Sequence, residues 1–196
     1  VDRLLTDDTV VVSDVGDCLF GALDLTVHRR TEFLCPAYYT SMGFAVPGSI
    51  GAQLADPMLR PLVLVGDGAF QMTGLELSTA ARLGLNPVVL VLNNRGYATE
   101  RQILDGPFND IREWAYSRVP ELLNAGKGFV VRTAAQLEEA LKTSFADEDS
   151  FSVIDIQLDP YDRSPAMARL AAQLSERNVK KSSAPQPRIR RAKSSF

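Results

Sequence analysis

Two short runs of β-branched apolar residues, Pro61 to Val65 and Pro87 to Leu92, stand on either side of an amphipathic segment, Phe70 to Leu83. No other stretch limits the fold so tightly. Runs of that length and composition read as buried strands, and the segment between them as a helix. A strand–helix–strand unit crosses over right-handedly, so its strands are parallel and both end on one edge of the sheet. Gly66-Asp67-Gly68 closes the first strand and Asn93-Asn94 the second. Asp67 and Asn94 are 94 − 67 = 27 residues apart along the chain. In space they belong side by side, because neighbouring strands lie ~4.8 Å apart.

The same alternation continues through the rest of the chain. Thr9 to Asp14 reads as a buried strand followed by Gly16-Asp17 and a helix over Cys18 to Leu25. Glu32 to Cys35, Gly128 to Arg132 and Phe151 to Gln157 read as further strands. Thr133 is placed to cap a helix between the last two. The expected architecture is α/β in three layers: a mostly parallel sheet of about six strands, with helices on both faces. Residues 1–178 form one domain, with a terminal amphipathic helix over Pro165 to Asn178. Residues 179–196, rich in Ser, Pro and basic residues, read as a disordered tail.

Composition narrows the function classes. Of 196 residues, 45% are hydrophobic and 23% charged, as in a soluble globular protein. No apolar run approaches the ~18 residues of a membrane span. The acidic start, VDRLLTDDT, does not read as a secretory signal, and Cys18 and Cys35 read as reduced structural thiols, so a cytoplasmic setting is expected. From Glu176 onward the charge is +6, so the overall −3 leaves −9 on the body, which argues against a nucleic-acid partner. The sole histidine, His28, lies in a polar connection and reads as a solvated surface residue rather than a catalyst. A Gly-x-Gly-x-x-Gly turn and a Gly-Lys-Ser/Thr loop are both missing, which weakens dinucleotide and ATP binding.

The paired turns carry chemistry. A carboxylate and a carboxamide offer hard oxygen ligands suited to Mg²⁺ or Ca²⁺. Glycines beside Asp67 allow close backbone approach, and Gly68-Ala69 opens a helix whose free N–H groups attract phosphate. Either motif alone is an ordinary strand-ending turn; together they describe a site for a metal-bound diphosphate. Gly16-Asp17 ends a strand on the same edge, where Asp17 is either a helix cap or a third contributor.

GDG, then about twenty-five residues, then NN resembles the motif of the thiamine diphosphate enzymes. The run NNRGYATERQILDGPFNDIREW is similar to the cofactor-binding domain of the pyruvate, indolepyruvate and phenylpyruvate decarboxylases, and the likeness covers roughly residues 9 to 160. The resemblance implies thiamine diphosphate and Mg²⁺ as cofactors, and a 2-oxo acid as substrate. Asp67, Asn94 and the Gly96 carbonyl would ligate the metal, and Gly66, Gly68 and Ala69 would receive the diphosphate. Asp17 matches the Gly-Asp that contacts the cofactor from the first turn. The carbonyl at Thr40 would accept from the pyrimidine amino group, and Met42 would wedge between the rings. The family often has glycine and isoleucine there, so both are departures, although Met is an adaptable apolar filler. Glu100, in YATE, matches the glutamate facing the reacting carbon; moving a proton there calls for a raised pKa in an apolar pocket.

The family's remaining catalytic groups belong to a pyrimidine-binding domain that these residues do not supply. The chain is therefore expected to be a piece of a longer decarboxylase or one subunit of a split enzyme, weak or silent alone, and part of a homo-oligomer, dimer or tetramer. An acetolactate-synthase-like carboligase or a 2-oxo acid oxidase stands as the alternative within this chemistry. A non-catalytic nucleotide- or phosphate-binding α/β module stands outside it.

Overall fold

The computed structural model describes residues 1–27, 32–169 and 172. His28, most of the expected terminal helix and the 179–196 tail lie outside them. Chain order is β1 (Thr9–Ser13), α1 (Asp17–Ala22), β2 (Phe33–Leu34), α2 (Ala45–Ala55), β3 (Arg60–Gly66), α3 (Asp67–Thr73), α4 (Leu77–Leu83), β4 (Val88–Asn93), α5 (Ala98–Arg101), α6 (Val119–Leu123), β5 (Lys127–Val131), α7 (Ala134–Ala146) and β6 (Ser152–Gln157). The six strands make one sheet in the order β2-β1-β3-β4-β6-β5. Every pairing is parallel.

Alternation along the strands builds two cores. Val10, Val12, Val63, Val65, Val89 and Val91 face one side, against Ile50 of α2, Leu77 and Ala80 of α4 and Val119 of α6. Val11, Leu62, Leu64, Val88 and Leu90 face the other, against Cys18 and Ala22 of α1 and Ala140 and Leu141 of α7. Each fully buried side chain of this size contributes roughly 1.5–3 kcal/mol, so burial on both faces accounts for the unbroken apolar runs. Among the described residues no helix is long and apolar enough to cross a membrane.

Several local readings are corrected. The helix expected over 70–83 is two, α3 and α4, joined by a 3-10 turn at Gly74–Glu76. Gly74 is needed there because the Phe70 ring occupies the space a Cβ would take. In α1 the N-cap is Gly16, and Asp17 is the first helical residue and makes no capping bond. Only Ala45–Ala55 of the small-residue stretch is helical. Thr133 does cap α7, accepting from the Gln136 amide at 3.3 Å. At the end of the chain, residues 165–169 form a helical turn.

Sheet order also fixes where a site can form. β1 leads outward to β2, whereas β3 lies on its other side and leads toward β4. The carboxyl ends of β1 and β3 therefore flank the point where the winding reverses, the usual crevice in open α/β sheets.

Candidate cofactor-binding site

A cavity of about 560 Å³ opens at that reversal. The turn after β1 supplies Gly16 and Asp17, and the turn after β3 supplies Gly66, Asp67, Gly68 and Ala69. Beyond β4 come Asn94, Gly96 and Glu100, while the loop before α2 brings Thr40 and Met42. Every candidate site residue named from the sequence thus lines this cavity. Sequence reasoning missed the fourth side, formed after β6 by Leu158 and Asp162 to Ser164.

Asp67 joins the two central turns. It is 1% exposed. Its Oδ1 accepts from the Gly68 amide at 2.8 Å, and its Oδ2 accepts from the Gly96 amide at 3.0 Å. Burial pushes its carboxyl up to about 6, against the pull of those amides and of the Arg101 charge. Two other oxygens have no such company. Asn94 Oδ1 and Asp17 Oδ1 are buried and without a hydrogen-bond partner. Asp17 Oδ2 accepts from the Ser164 amide at 2.8 Å, which ties the segment after β6 to the first turn. An unpartnered buried oxygen is costly, so such atoms mark places where an outside ligand fits.

The backbone around these atoms is unusual. Among described residues other than glycine, positive φ occurs at Thr40 (55°), Arg95 (62°) and Asn124 (51°). Asn124 ends α6 in the left-handed conformation. The other two sit in the cavity loops, where strain of this kind is commonly held. Gly68 is required because the Tyr97 ring fills the place of its Cβ.

Two buried charges that the sequence did not flag hold the loops. Asp14, fully buried, accepts from the Gly43 amide at 3.1 Å and the Ala45 amide at 3.0 Å, fixing the start of α2 to the end of β1. Thr73 Oγ1 grips the same loop by donating to the Gly43 carbonyl at 2.8 Å. Arg101 donates to the carbonyls of Asn94 and Arg95. An acid closing an apolar strand was a visible signal for Asp14. For Arg101 there was none, since its partners are mostly main-chain atoms.

Glu100 departs from expectation. It lines the cavity but is exposed, so the apolar enclosure expected around it is not formed by these residues. Met42 is likewise 39% exposed, with one side on the cavity.

Among the described residues, the lining carries Asp17, Asp67, Glu100 and Asp162 against the single cation Arg163. A diphosphate entering such a field needs a counter-cation. Among the described residues no three His, Cys, Asp or Glu side chains converge on one point. The two central turns offer the Asp67 carboxylate, the unpartnered Asn94 Oδ1 and the Gly96 carbonyl, which also accepts from the Ala98 amide at 3.1 Å. That hard, singly charged set fits Mg²⁺ that shares its remaining positions with phosphate and water.

The family model described as the thiamine pyrophosphate enzyme C-terminal TPP binding domain matches residues 14–156. An indole-3-pyruvate decarboxylase of Azospirillum brasilense is 39% identical over 150 residues, 76% of this chain and 27% of the relative. A probable pyruvate decarboxylase of Schizosaccharomyces pombe is 34% identical over 166 residues, 83% of this chain and 29% of the relative. An alpha-keto-acid decarboxylase of Mycolicibacterium paratuberculosis is 36% identical over 158 residues, 79% and 28% respectively. The chain spans less than a third of the length of these curated relatives. A reversed-winding crevice, a carboxylate joining two turns and a family match across both turns lead to one conclusion: the chain belongs to the thiamine pyrophosphate enzymes, as their C-terminal TPP-binding domain.

Proposed function

We propose that this domain holds thiamine diphosphate through Mg²⁺ and works within a non-oxidative 2-oxo acid decarboxylase of the indolepyruvate, phenylpyruvate or pyruvate kind. The observation that carries the reading is the Asp67 bridge to Gly96 beside the unpartnered Asn94 oxygen, in a cavity whose charged lining is mostly acidic. Asp67, Asn94 and the Gly96 carbonyl would hold the metal. Gly66, Gly68, Ala69 and Asp17 would receive the diphosphate end, and Thr40 and Met42 the rings. When bound, thiamine diphosphate supplies a nucleophilic carbon and a sink for the electron pair left by departing CO₂.

The chain's own residues bind, orient and move protons. Glu100 is the group placed to exchange a proton near the reacting centre. Its exposure fits a division of labour in which the rest of the enzyme closes over it and excludes water. That remainder, a pyrimidine-binding domain in the same protein or a separate subunit, would sit against the open side of the cavity in a homo-oligomer, dimer or tetramer. Residues 1–178 are the binding unit in this reading, the 179–196 tail lies outside it, and the setting is cytoplasmic.

Calorimetric titration tests the core of this. Thiamine diphosphate should bind saturably with Mg²⁺ present and weakly without it, while NAD and ATP give no comparable heat. Asp67→Ala and Asn94→Ala should each abolish the Mg²⁺ dependence. Wild-type affinity retained in both variants would refute the metal assignment.

A further inference from the structure

The turn that carries Asn94 and Gly96 is one the chain does not adopt readily by itself. Arg95 has φ 62° and Gly96 φ 152°, two consecutive residues on the side of the map that L side chains avoid. Something must hold them. The Arg101 side chain is 3% exposed, and its guanidinium fork is filled by acceptors. It donates to the carbonyls of Asn94 at 3.1 Å, Arg95 at 2.8 Å and Pro160 at 3.0 Å, and to Asp110 Oδ1 at 2.9 Å. The Tyr161 ring centre lies 5.9 Å from the guanidinium carbon. The Arg101 tip and the Asn109 carbonyl occupy the space where a Cβ on Gly96 would stand, so the glycine and the arginine are fitted to each other.

Arg101 itself does not line the cavity. It acts from behind, on the main chain of Asn94, which lines the cavity, and of Arg95, which precedes the lining residue Gly96. Guanidinium suits this task because its five donors lie in a rigid plane and its charge is permanent, whereas an ammonium offers a single mobile point.

We propose that Arg101 is a positioning residue: it presets the Asn94–Gly96 turn in the shape that presents the Asn94 amide oxygen and the Gly96 carbonyl to a divalent cation, before any cofactor arrives. This rests on the Mg²⁺-diphosphate reading for its consequence; the hold on the turn is made by this chain's own atoms. Groups that orient a metal's ligands usually alter affinity ~10–100-fold when lost.

Two measurements test it. In the first, Mg²⁺ affinity is titrated at saturating thiamine diphosphate. Arg101→Lys and Arg101→Gln should each weaken it at least ~10-fold. Asp110→Asn, which removes only the outer ion pair with a carboxylate that is 69% exposed, should stay within ~3-fold of wild type. Wild-type affinity in both Arg101 variants, or an equal loss in Asp110→Asn, would overturn the proposal. The second is amide hydrogen exchange on cofactor-free protein. In wild type the Gly96 and Tyr97 amides should be protected well above those of residues 102–105. In Arg101→Lys that protection should fall, while Val89 and Val91 of β4 keep theirs. Gly96 exchanging as freely as residues 102–105 in wild type would overturn the preset turn even if the variants fail to fold. Wild-type protein that takes up no Mg²⁺ and thiamine diphosphate would instead refute the cofactor reading, and the exchange pattern would still decide whether Arg101 holds the turn.

Discussion

Asp67 pays for its position in pH dependence. Burial raises its carboxyl from an ordinary value of about 4 to about 6. The folded form therefore keeps its proton to higher pH than the unfolded form, so stability falls as pH climbs through that window and is level above it. The loss amounts to roughly 3 kcal/mol. Asn at this position cannot titrate. Urea unfolding of cofactor-free wild type and Asp67→Asn, at about pH 3.5 and about pH 8, should show the difference between them move against wild type by roughly that amount. A gap that does not change with pH would show the carboxyl to be unshifted. Asp67 and Asn94 were legible in the sequence because each closes an apolar strand, and strand ends on a parallel sheet share an edge. Arg101 was not, because its acceptors at 94, 95 and 160 are main-chain carbonyls, for which no residue type is a signature. Glu100 was legible in place and misread in surroundings, since the described residues leave it exposed rather than in an apolar pocket.

Among the elements, glycines separate packing from propensity. Gly51 lies within α2, exposed, with nothing within 4 Å of where a Cβ would stand. Gly51→Ala should raise stability by about 0.5–1 kcal/mol through helix propensity alone. Gly128, in β5, has the Ser117 carbonyl in the space its Cβ would fill. Gly128→Ala must push the Tyr116–Arg118 turn off the strand, and should lower stability by about 2 kcal/mol or more. Thermal unfolding of the pair checks both signs, and equal shifts would mean the close approach at Gly128 is not real. The central strands β1, β3, β4 and β6 were easy to read for the reason that also buries them: apolar on both faces, they leave no alternative. The break between α3 and α4 was harder to see. It depends on one ring, Phe70, folding back over Gly74, and helical periodicity alone does not register that.

For the molecule as a whole, the open cavity is the informative feature. Tyr38 and Tyr39, in the same loop as Thr40 and Met42, are 101% and 82% exposed. Under the proposed function, such surface is where the pyrimidine-binding part would sit. If the proposed function holds, release of CO₂ from a 2-oxo acid should be absent from the isolated chain with Mg²⁺ and thiamine diphosphate. It should appear once the missing pyrimidine-binding part is supplied, and full turnover by the chain alone would refute the division of labour. Asp67 also has a kinetic consequence. One carboxylate already spans the gap between two distant stretches of polypeptide, so the two turns move as a unit. Under the proposed function, binding of a cation there would need little rearrangement of the main chain, and an on-rate insensitive to temperature-driven local opening is the expected kinetic signature.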